Sequence, residues 1–366
     1  MQFKKPPRRI FLGLLNYGTQ AGVLAKGLRA YGFSARSFTG PDAFNRATDV
    51  KFRTGRSLFG KIIAHLFVNP AIKLFCVARF DTFIFFYNRT FLPKNMDLPL
   101  LKLLGKAVYF DYLGWDVQQA VYSIERYKYT NAAHYKNIKF DELALQDERK
   151  LASLAFQRKY AHKLFVCAPY LREFVPDAEL LPLAIDLRQI GESCRTFRSG
   201  QGLRIFHAPT HTGNKGTKFI EMAIAALKNE GYDVEYERLQ GLQHSELQEK
   251  YKQADLFIDQ ILAGWYGTAS IEAMSRGCPT ICFLRKEYRE HCPYFDDIPI
   301  VNADPDSITD VLRSILDGKV DLEELSRKSV EFVQTVHAAD RVALKLINSL
   351  NWGKKSETLD SSSVRS

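Results

Sequence analysis

Short apolar runs alternate with amphipathic stretches along most of this chain. The clearest repeat lies in residues 203–284. Its predicted strands are residues 203–208, 233–239, 256–259 and 280–284. Strands that alternate with stretches of helical spacing predict parallel βαβ units. Residues 9–38 repeat the strand–helix–strand order near the N-terminus, so the pattern predicts an α/β protein with two similar halves.

The length of 366 residues is typical of two domains. We place the first domain at residues 1–190, a polar linker at 191–202 and the second domain at 203–320. Residues 321–352 are strongly helical, and a return of this helix to the first domain stays open. The Ser- and charge-rich tail, residues 353–366, is predicted to be disordered.

The positive charge of the chain is concentrated in its first third. The formal net charge is +10, and residues 1–110 alone hold 18 Lys and Arg against 4 Asp and Glu. This excess either serves solubility or indicates an anionic partner, such as lipid head groups, a lipid-diphosphate carrier or nucleic acid. No nucleic-acid-binding module is recognisable there, so we expect no nucleic-acid partner.

Residues 57–80 combine bulky apolar side chains at helical spacing with Lys61 and His65. Such a helix can lie on an anionic membrane surface, as a peripheral protein would. The alternative, a helix that faces the core with one solvated side, is favoured here. The longest uncharged stretch, residues 62–72, has eleven residues, fewer than the ~20 that span a bilayer, so no transmembrane segment is predicted.

The six cysteines are scattered, which is typical of a reducing, cytoplasmic setting. Cys278, Cys282, His291 and Cys292 lie near each other in sequence, but their spacing fits no usual zinc site. We therefore expect neither a metal nor a disulfide framework. The basic N-terminus leads into a strand and does not resemble a signal peptide.

Candidate chemistry is densest in residues 255–283, which predict strand, loop, helix and strand. The helix begins after Gly267, so the N–H groups near Thr268 and Ala269 and the positive end of the helix dipole suit a phosphate. Glu272 lies one turn inside, where its carboxylate can accept hydrogen bonds from vicinal sugar hydroxyls. The alternative is a solvated carboxylate on a helix whose glycines only turn the chain.

A second loop of the same kind follows the strand at residues 203–208. It contains His211, Gly213, Lys215 and Gly216 and leads into a helix. Backbone donors beside a lysine suit a diphosphate, although a turn with an exposed lysine has the same pattern. In the first half, Gly18 follows the first strand, but the spacing is not the GxGxxG fingerprint of dinucleotide-binding proteins.

The run Glu272-Ala273-Met274 with Gly277 and Pro279 resembles the donor segment of family 4 glycosyltransferases (glycosyl transferases group 1). The resemblance implies the GT-B fold, in which two Rossmann-like domains face a central cleft. Lys215-Gly216 is similar to that family's diphosphate clamp. Gly114 and Asp116 resemble part of a His-Gly-Ser-Asp loop, and Asp116 either contacts a sugar hydroxyl or only holds its loop.

The chain departs from the family at three places. Gly264 stands where the family has a first Glu that touches the donor sugar, and Leu113 replaces the His of the His-Gly-Ser-Asp loop. The clamp arginine is also absent. Asp259, Trp265 and Tyr266 are neighbouring candidates for the sugar contact. No general acid or base is assigned, and the candidate catalytic set is Glu272, Lys215 and Asp116.

The resemblance implies sugar transfer from a nucleoside-diphosphate sugar to a glycan, lipid-linked or protein acceptor, with retention, without a metal or other cofactor, and in polysaccharide biosynthesis. The expected donor contacts are Gly18, His211, Gly213, Lys215, Gly216, Tyr266, Gly267, Thr268, Ala269 and Glu272. Alternatives are a non-catalytic GT-B protein that binds a glycan or partner, a sugar-nucleotide epimerase and, least favoured, an NAD-dependent oxidoreductase.

Overall fold

The structure, a computed structural model, describes residues 8–41, 46–55, 57–134, 138–186, 197 and 202–350. Most of the predicted linker and all of the predicted tail lie outside these residues. The described chain forms two parallel β-sheets with helices on their faces, one sheet of seven strands and one of five.

The first sheet is built from the N-terminal half of the chain. Its strands are β1 (Arg9–Leu14), β2 (Ser34–Thr39), β3 (Val50–Lys51), β4 (Thr82–Phe86), β5 (Ala107–Tyr112), β6 (Lys163–Val166) and β7 (Glu179–Leu180). They lie in the order β3-β2-β1-β4-β5-β6-β7, and all neighbours are parallel. Every residue of β4 and β5 is buried, as expected for central strands covered on both faces.

Six helices connect these strands. They are α1 (Gln20–Ala30), α2 (Leu58–Ile63), α3 (Asn69–Arg79), α4 (Leu98–Leu103), α5 (Ala120–Arg126) and α6 (Phe140–Arg158). A π-helical segment, Ala64–Val68, joins α2 to α3, so Leu58–Arg79 is one helix of 22 residues. By length and composition this helix is long and apolar enough to cross a membrane. The sequence predicted helical spacing here but no spanning length, because only the uncharged stretch between Lys61 and Lys73 was counted.

Residues 127–147 are polar without a clear period, which predicts a loop, but α6 already begins at Phe140. Its buried positions are few, namely Leu143, Asp147, Leu154 and Gln157, so the apolar period is weak. Asp147 is held by polar contacts instead: it accepts the Val121 N–H at 2.9 Å and pairs with Lys150 at 2.9 Å. A helix fixed in this way shows little hydrophobic signal in its sequence.

The second sheet is built from the C-terminal half. Its strands are β8 (Leu203–His207), β9 (Val234–Arg238), β10 (Leu256–Ile258), β11 (Thr280–Cys282) and β12 (Ile300–Asn302), in the order β12-β11-β10-β8-β9. The strand order reverses between β8 and β10, and in the first sheet between β1 and β4. Ligands of open parallel sheets bind beyond the strand ends at such a switch point.

The helices of this half are α7 (Thr212–Lys215), α8 (Thr217–Asn229), α9 (His244–Gln253), α10 (Thr268–Ser275), α11 (Ile308–Leu316), α12 (Leu322–Phe332) and α13 (Ala339–Ser349). The single terminal helix expected from sequence is therefore divided. The first part, α12, contacts the second half, where Ser326 Oγ donates to Gly277 O at 2.6 Å. The second part, α13, packs against α1 of the first half.

The chain returns to the first half beside the point where it leaves it. Ile185 N–H donates to His337 O at 2.7 Å, and Ala339 N–H donates to Ile185 O at 3.0 Å. Ala338 is extended and forms a parallel bridge with Ile185, which ends the helical run. The division into domains at residues 1–190 and 203–320 stays a prediction.

Candidate functional site

A buried histidine, His207, lies at the end of β8, beside the switch point of the second sheet. His207 Nδ1 lies 2.8 Å from Ile258 O, and its Nε2 lies 2.8 Å from Thr217 Oγ1. Burial lowers the pKa of His207 to about 4, so the ring is neutral at pH 7. The ring therefore ties β8 to β10 and α8 without placing a charge beneath the site.

Lys215 and Asp259 form an ion pair at this switch point. Lys215 ends α7 and Asp259 follows β10, so the two side chains come from either side of the reversal. Lys215 Nζ donates to Asp259 Oδ1, and the Asp259 side chain is 1% exposed. Burial raises the pKa of Asp259, but the charge of Lys215 and the hydrogen bonds to this carboxylate outweigh burial and hold the pKa below its usual value.

The same carboxylate fixes the start of α10. Asp259 Oδ2 accepts the Ser270 hydroxyl at 2.6 Å and the Gly267 N–H at 3.3 Å. The first intrahelical bond runs from Ile271 N–H to Gly267 O at 3.3 Å, so the N–H groups of Thr268 and Ala269 have no acceptor within the helix. An ammonium and a helix N-terminus thus meet at one carboxylate, which suits a bound anion.

Glu272 is a buried carboxylate rather than a solvated one. Its Oε1 lies 2.9 Å from Nε2 of His244, the first residue of α9. The hydrogen bond to Glu272 raises the pKa of His244 despite partial burial of the ring. His244 was not identified from the sequence, because no local pattern marks the partner of a carboxylate 28 residues away.

The first half contacts this site through Gly18. A Cβ atom at Gly18 would lie 2.5 Å from Thr268 Oγ1, and Gly18 has a φ of +53°. Both features require glycine. Arg46 also lies near this contact, since its charge lowers the pKa of both Tyr17 and His244. Residues from both halves therefore surround the start of α10, and Arg46 is a cation that the sequence did not indicate.

The Arg285 side chain fills the space beside Gly264, the position at which family 4 glycosyltransferases have their first Glu. Gly264 has a φ of +79°, and a Cβ atom there would lie 2.8 Å from Arg285 Nη1. The buried guanidinium donates to Tyr288 Oη at 2.6 Å and Tyr129 O at 2.5 Å, and lies 3.7 Å from the centre of the Tyr127 ring. Arg285 thus joins the two halves at a point where the family has a carboxylate.

Two expected site residues have other roles in the structure. Tyr266 is buried, and its hydroxyl lies 2.9 Å from His337 Nε2, so its phenol belongs to the core and does not face a donor. Asp116 accepts the N–H groups of Leu113 and Gly114 at 3.2 and 2.8 Å, so it holds its own loop. Burial raises the pKa of Asp116 to about 7.

A further buried carboxyl, Asp111, lies in β5 close to Asp116. Burial and the charge of Asp116 raise its pKa well above the usual value. In the described part of the chain Asp111 Oδ1 has no hydrogen-bond partner. Its surroundings therefore disfavour the charged form, and nothing in the sequence distinguished Asp111 from an ordinary strand residue.

The structure brings one group of expected residues together around Asp259 and α10, namely Gly18, Lys215, Gly216, Gly267, Thr268, Ala269 and Glu272. Gly216 contacts Ile261, directly after β10, and its φ of +79° explains the glycine. His211 is exposed at the cap of α7, and Gly213 lies in the first turn. Trp265 stacks on Tyr266 in the core, with ring centroids 4.9 Å apart.

Solved structures with the same architecture cover nearly the whole chain. Sucrose-phosphate synthase from Thermosynechococcus elongatus superposes with a TM-score of 0.60 at 15% identity, over 93% of this chain and 97% of that one. The chain has the GT-B fold. Anabaena HepE, solved with UDP and glucose, gives a TM-score of 0.59 at 9% identity, over 95% of this chain and 100% of HepE.

The third similar structure belongs to a different reaction class. A Listeria monocytogenes protein proposed to be a UDP-N-acetylglucosamine 2-epimerase gives a TM-score of 0.51 at 11% identity, over 94% of this chain and 96% of that one. A scan against protein-family models finds no match, and a search of curated proteins finds none. At these identities the likeness shows the GT-B fold alone, so activity has to be argued from the site.

Proposed function

We propose that this protein is a glycosyltransferase that binds a nucleoside-diphosphate sugar between its two halves. The observation that carries the proposal is the meeting of Lys215 and the N-terminus of α10 at Asp259, beside Gly18. Lys215 has two further N–H groups, and the N–H groups of Thr268 and Ala269 have no acceptor within α10. A diphosphate is the ligand that matches a cation and several N–H groups at one spot.

The same groups suit the chemistry of sugar transfer. Negative charge develops on the leaving diphosphate as the bond to the sugar breaks, and Lys215 with the N–H groups of Thr268 and Ala269 would stabilise it. Glu272, oriented by His244, would bind the hydroxyls of the ribose. Movement of the two halves towards each other would exclude water. Retention of configuration and independence from metal are part of the proposal by resemblance.

The donor nucleotide is proposed to be uridine diphosphate, because HepE was solved with UDP. The acceptor is a glycan, a lipid-linked molecule or a protein. A cytoplasmic setting agrees with the five described cysteines, which are all buried free thiols.

Binding without transfer is the second candidate function. Gly264 and Leu113 replace the two family residues nearest the reacting carbon, and Arg285 fills the space beside Gly264. A protein that only binds a sugar nucleotide would need Lys215 and Glu272 but neither of those residues. An epimerase would also bind the donor, but it would form an isomer without any acceptor.

Calorimetric titration with UDP, GDP and ADP tests the site. We expect UDP to be preferred, and Lys215→Gln to weaken its binding roughly tenfold or more. Lys218→Gln is the matched control, because Lys218 is an exposed lysine of the neighbouring helix. Thermal unfolding confirms that each variant is folded. Equal binding by both variants, or no binding of any diphosphate, would refute the proposal.

Turnover is measured separately with the preferred sugar nucleotide. Release of the nucleoside diphosphate, accelerated by an acceptor and accompanied by a new glycoside, supports transfer. Conversion of the donor to an isomer indicates an epimerase. Nucleotide binding with neither product indicates the non-catalytic function.

A further inference from the structure

The helix Leu58–Arg79 exposes most of its apolar side chains. Only 11% of its most apolar stretch is buried, whereas the core helix of a soluble protein is mostly buried. Leu58 is 77% exposed and Phe67 is 67% exposed. Its exposed apolar side chains include Leu58, Phe59, Leu66, Phe67, Leu74 and Phe75. Most apolar side chains of this segment therefore face solvent, and only a narrow side that includes Ala64 and Cys76 faces the core.

A second helix adds to this surface. Leu103 of α4 is 83% exposed, and Leu100 is exposed beside it. The connections from β3 to β4 and from β4 to β5 cross the sheet in the same direction, so right-handed crossovers place both helices on one face. Lys73 Nζ donates to Phe91 O at 2.6 Å and ties the first helix to the loop before α4. We call the exposed apolar side chains of these two helices the docking face.

The charge around the docking face is positive. Residues 50–106 contain ten Lys and Arg and two Asp and Glu. Both acidic residues are engaged: Asp81 pairs with Arg9 at 2.8 Å, and buried Asp97 accepts the Phe91 N–H at 3.1 Å. The exposed basic residues described in this range are Lys51, Arg53, Lys61, Arg79, Arg89, Lys94 and Lys102.

We propose that the docking face binds the surface of an anionic lipid bilayer. Helices that lie in the membrane–water interface have apolar side chains surrounded by basic residues. Lipid acyl chains cover the apolar side chains, and head-group phosphates pair with the basic residues. A second copy of this chain would bring two basic surfaces together, which charge repulsion opposes.

The helix lies on the bilayer and does not cross it, because one side is fixed to the protein. Cys76 of α3 is fully buried, and Asn69 Nδ2 donates to Arg53 O at 3.0 Å. The C-terminal end of the helix leads directly into β4, a central strand of the sheet. A helix that crossed the bilayer would lose these contacts with the rest of the protein.

This placement turns the candidate site towards the membrane. A helix that joins two parallel strands begins at the carboxyl edge of the sheet, so Leu58 lies at the edge that carries the switch point. Tyr17 and Tyr87 stack at that edge, with ring centroids 5.8 Å apart. Given the proposed glycosyl transfer, on which this step rests, the acceptor is a lipid-linked molecule in the same bilayer.

Co-sedimentation of the full chain with vesicles tests the docking face. We compare phosphatidylcholine vesicles with vesicles in which roughly a third of the lipid is phosphatidylserine. We expect sedimentation with the anionic vesicles, weakened by salt, and roughly tenfold weaker binding by Phe59→Ser/Phe67→Ser. Met222→Ser is the control, because Met222 is 59% exposed on α8 and outside the docking face.

Three outcomes would overturn the proposal. These are no sedimentation, sedimentation that ignores anionic lipid, and equal sedimentation of the double variant and the wild type. A wild-type dimer that the double variant converts to a monomer, without vesicle binding, would identify the docking face as a contact between copies. Calorimetric nucleotide binding by the same preparations reports the donor site alone, so its failure would refute the proposed function and leave the docking result intact.

Discussion

Lys215 donates to Asp259 from the opposite side of the strand reversal, and Asp259 at the same time accepts Ser270 and Gly267 at the start of α10. One buried carboxylate therefore sets the position of both anion-binding elements. A mobile lysine would supply charge without direction. Here the ammonium is held close to the helix N-terminus before any ligand arrives, which reduces the cost of ordering the site on binding.

Replacing Asp259 by Asn should destabilise the fold. The substitution leaves a mostly buried ammonium without its counter-charge, so we expect the free energy of unfolding to fall by about 3 kcal/mol in urea at pH 7. Glu237→Gln is the control, because the Glu237–Lys250 pair is more exposed and should contribute less than about 1 kcal/mol. Similar losses for both variants would contradict the special role of Asp259.

The Asp259 pair should also give an acid-dependent stability. The pKa of Asp259 is held below its ordinary 3.8, so its contribution is fully present above about pH 4 and is lost as pH falls through the native pKa. The unfolding free energies of the wild type and Asp259→Asn in urea should therefore converge as pH falls below the native pKa. A difference that grows with acidification would contradict the lowered pKa.

The His244–Glu272 pair should have the opposite pH dependence. The pKa of His244 is raised above 6.5, so the stability that it contributes is present below that pH and is lost as pH rises through the native pKa. We expect Glu272→Gln to cost about 2 kcal/mol near pH 6 and much less near pH 9. Histidine titration by NMR gives the pKa directly, and it should fall to its ordinary range in the variant.

Substitution of Gly18 should have two costs, one from its left-handed backbone conformation and one from overlap with Thr268. Gly32→Ala measures the first cost alone. Gly32 has a φ of +82°, and a Cβ atom there would meet nothing within 4 Å, so Gly32→Ala should cost only the left-handed backbone term of roughly 1–2 kcal/mol. Gly18→Ala adds an overlap with Thr268 and should also weaken nucleotide binding. Calorimetry checks this, and Thr268→Ala should restore part of the affinity in the Gly18→Ala background.

Arg285 should not tolerate lysine. Lysine cannot stack on Tyr127 and donate in two directions at once, so we expect Arg285→Lys to cost about 2 kcal/mol of unfolding free energy. Arg289→Lys is the control in the same segment, because its pair with Asp296 is exposed and should contribute less than about 0.5 kcal/mol. Equal thermal stability of the two variants would show that Arg285 does not hold the halves together.

The sequence predicted those features of the fold and the site that depend on local residue pattern. Alternating strands and helices, the loop that contains Lys215 and the helix that contains Glu272 all have short-range signals, and the predicted GT-B fold is confirmed. Long-range partners were missed: His244 with Glu272, and Arg285 beside Gly264. The buried position of Tyr266 was missed as well, because a tyrosine after a strand looks the same whether its hydroxyl faces a ligand or His337.

The bridge between Ile185 and Ala338 has a mechanical consequence. The outgoing and returning segments of the chain are hydrogen-bonded side by side there, so we expect this pair to be the hinge between the two halves. Motion of one half against the other should then be mainly rotation about this hinge, largest at the far rim of the cleft. Substitutions at this hinge should therefore change how far the two halves open, while the residues that line the cleft keep their positions within each half.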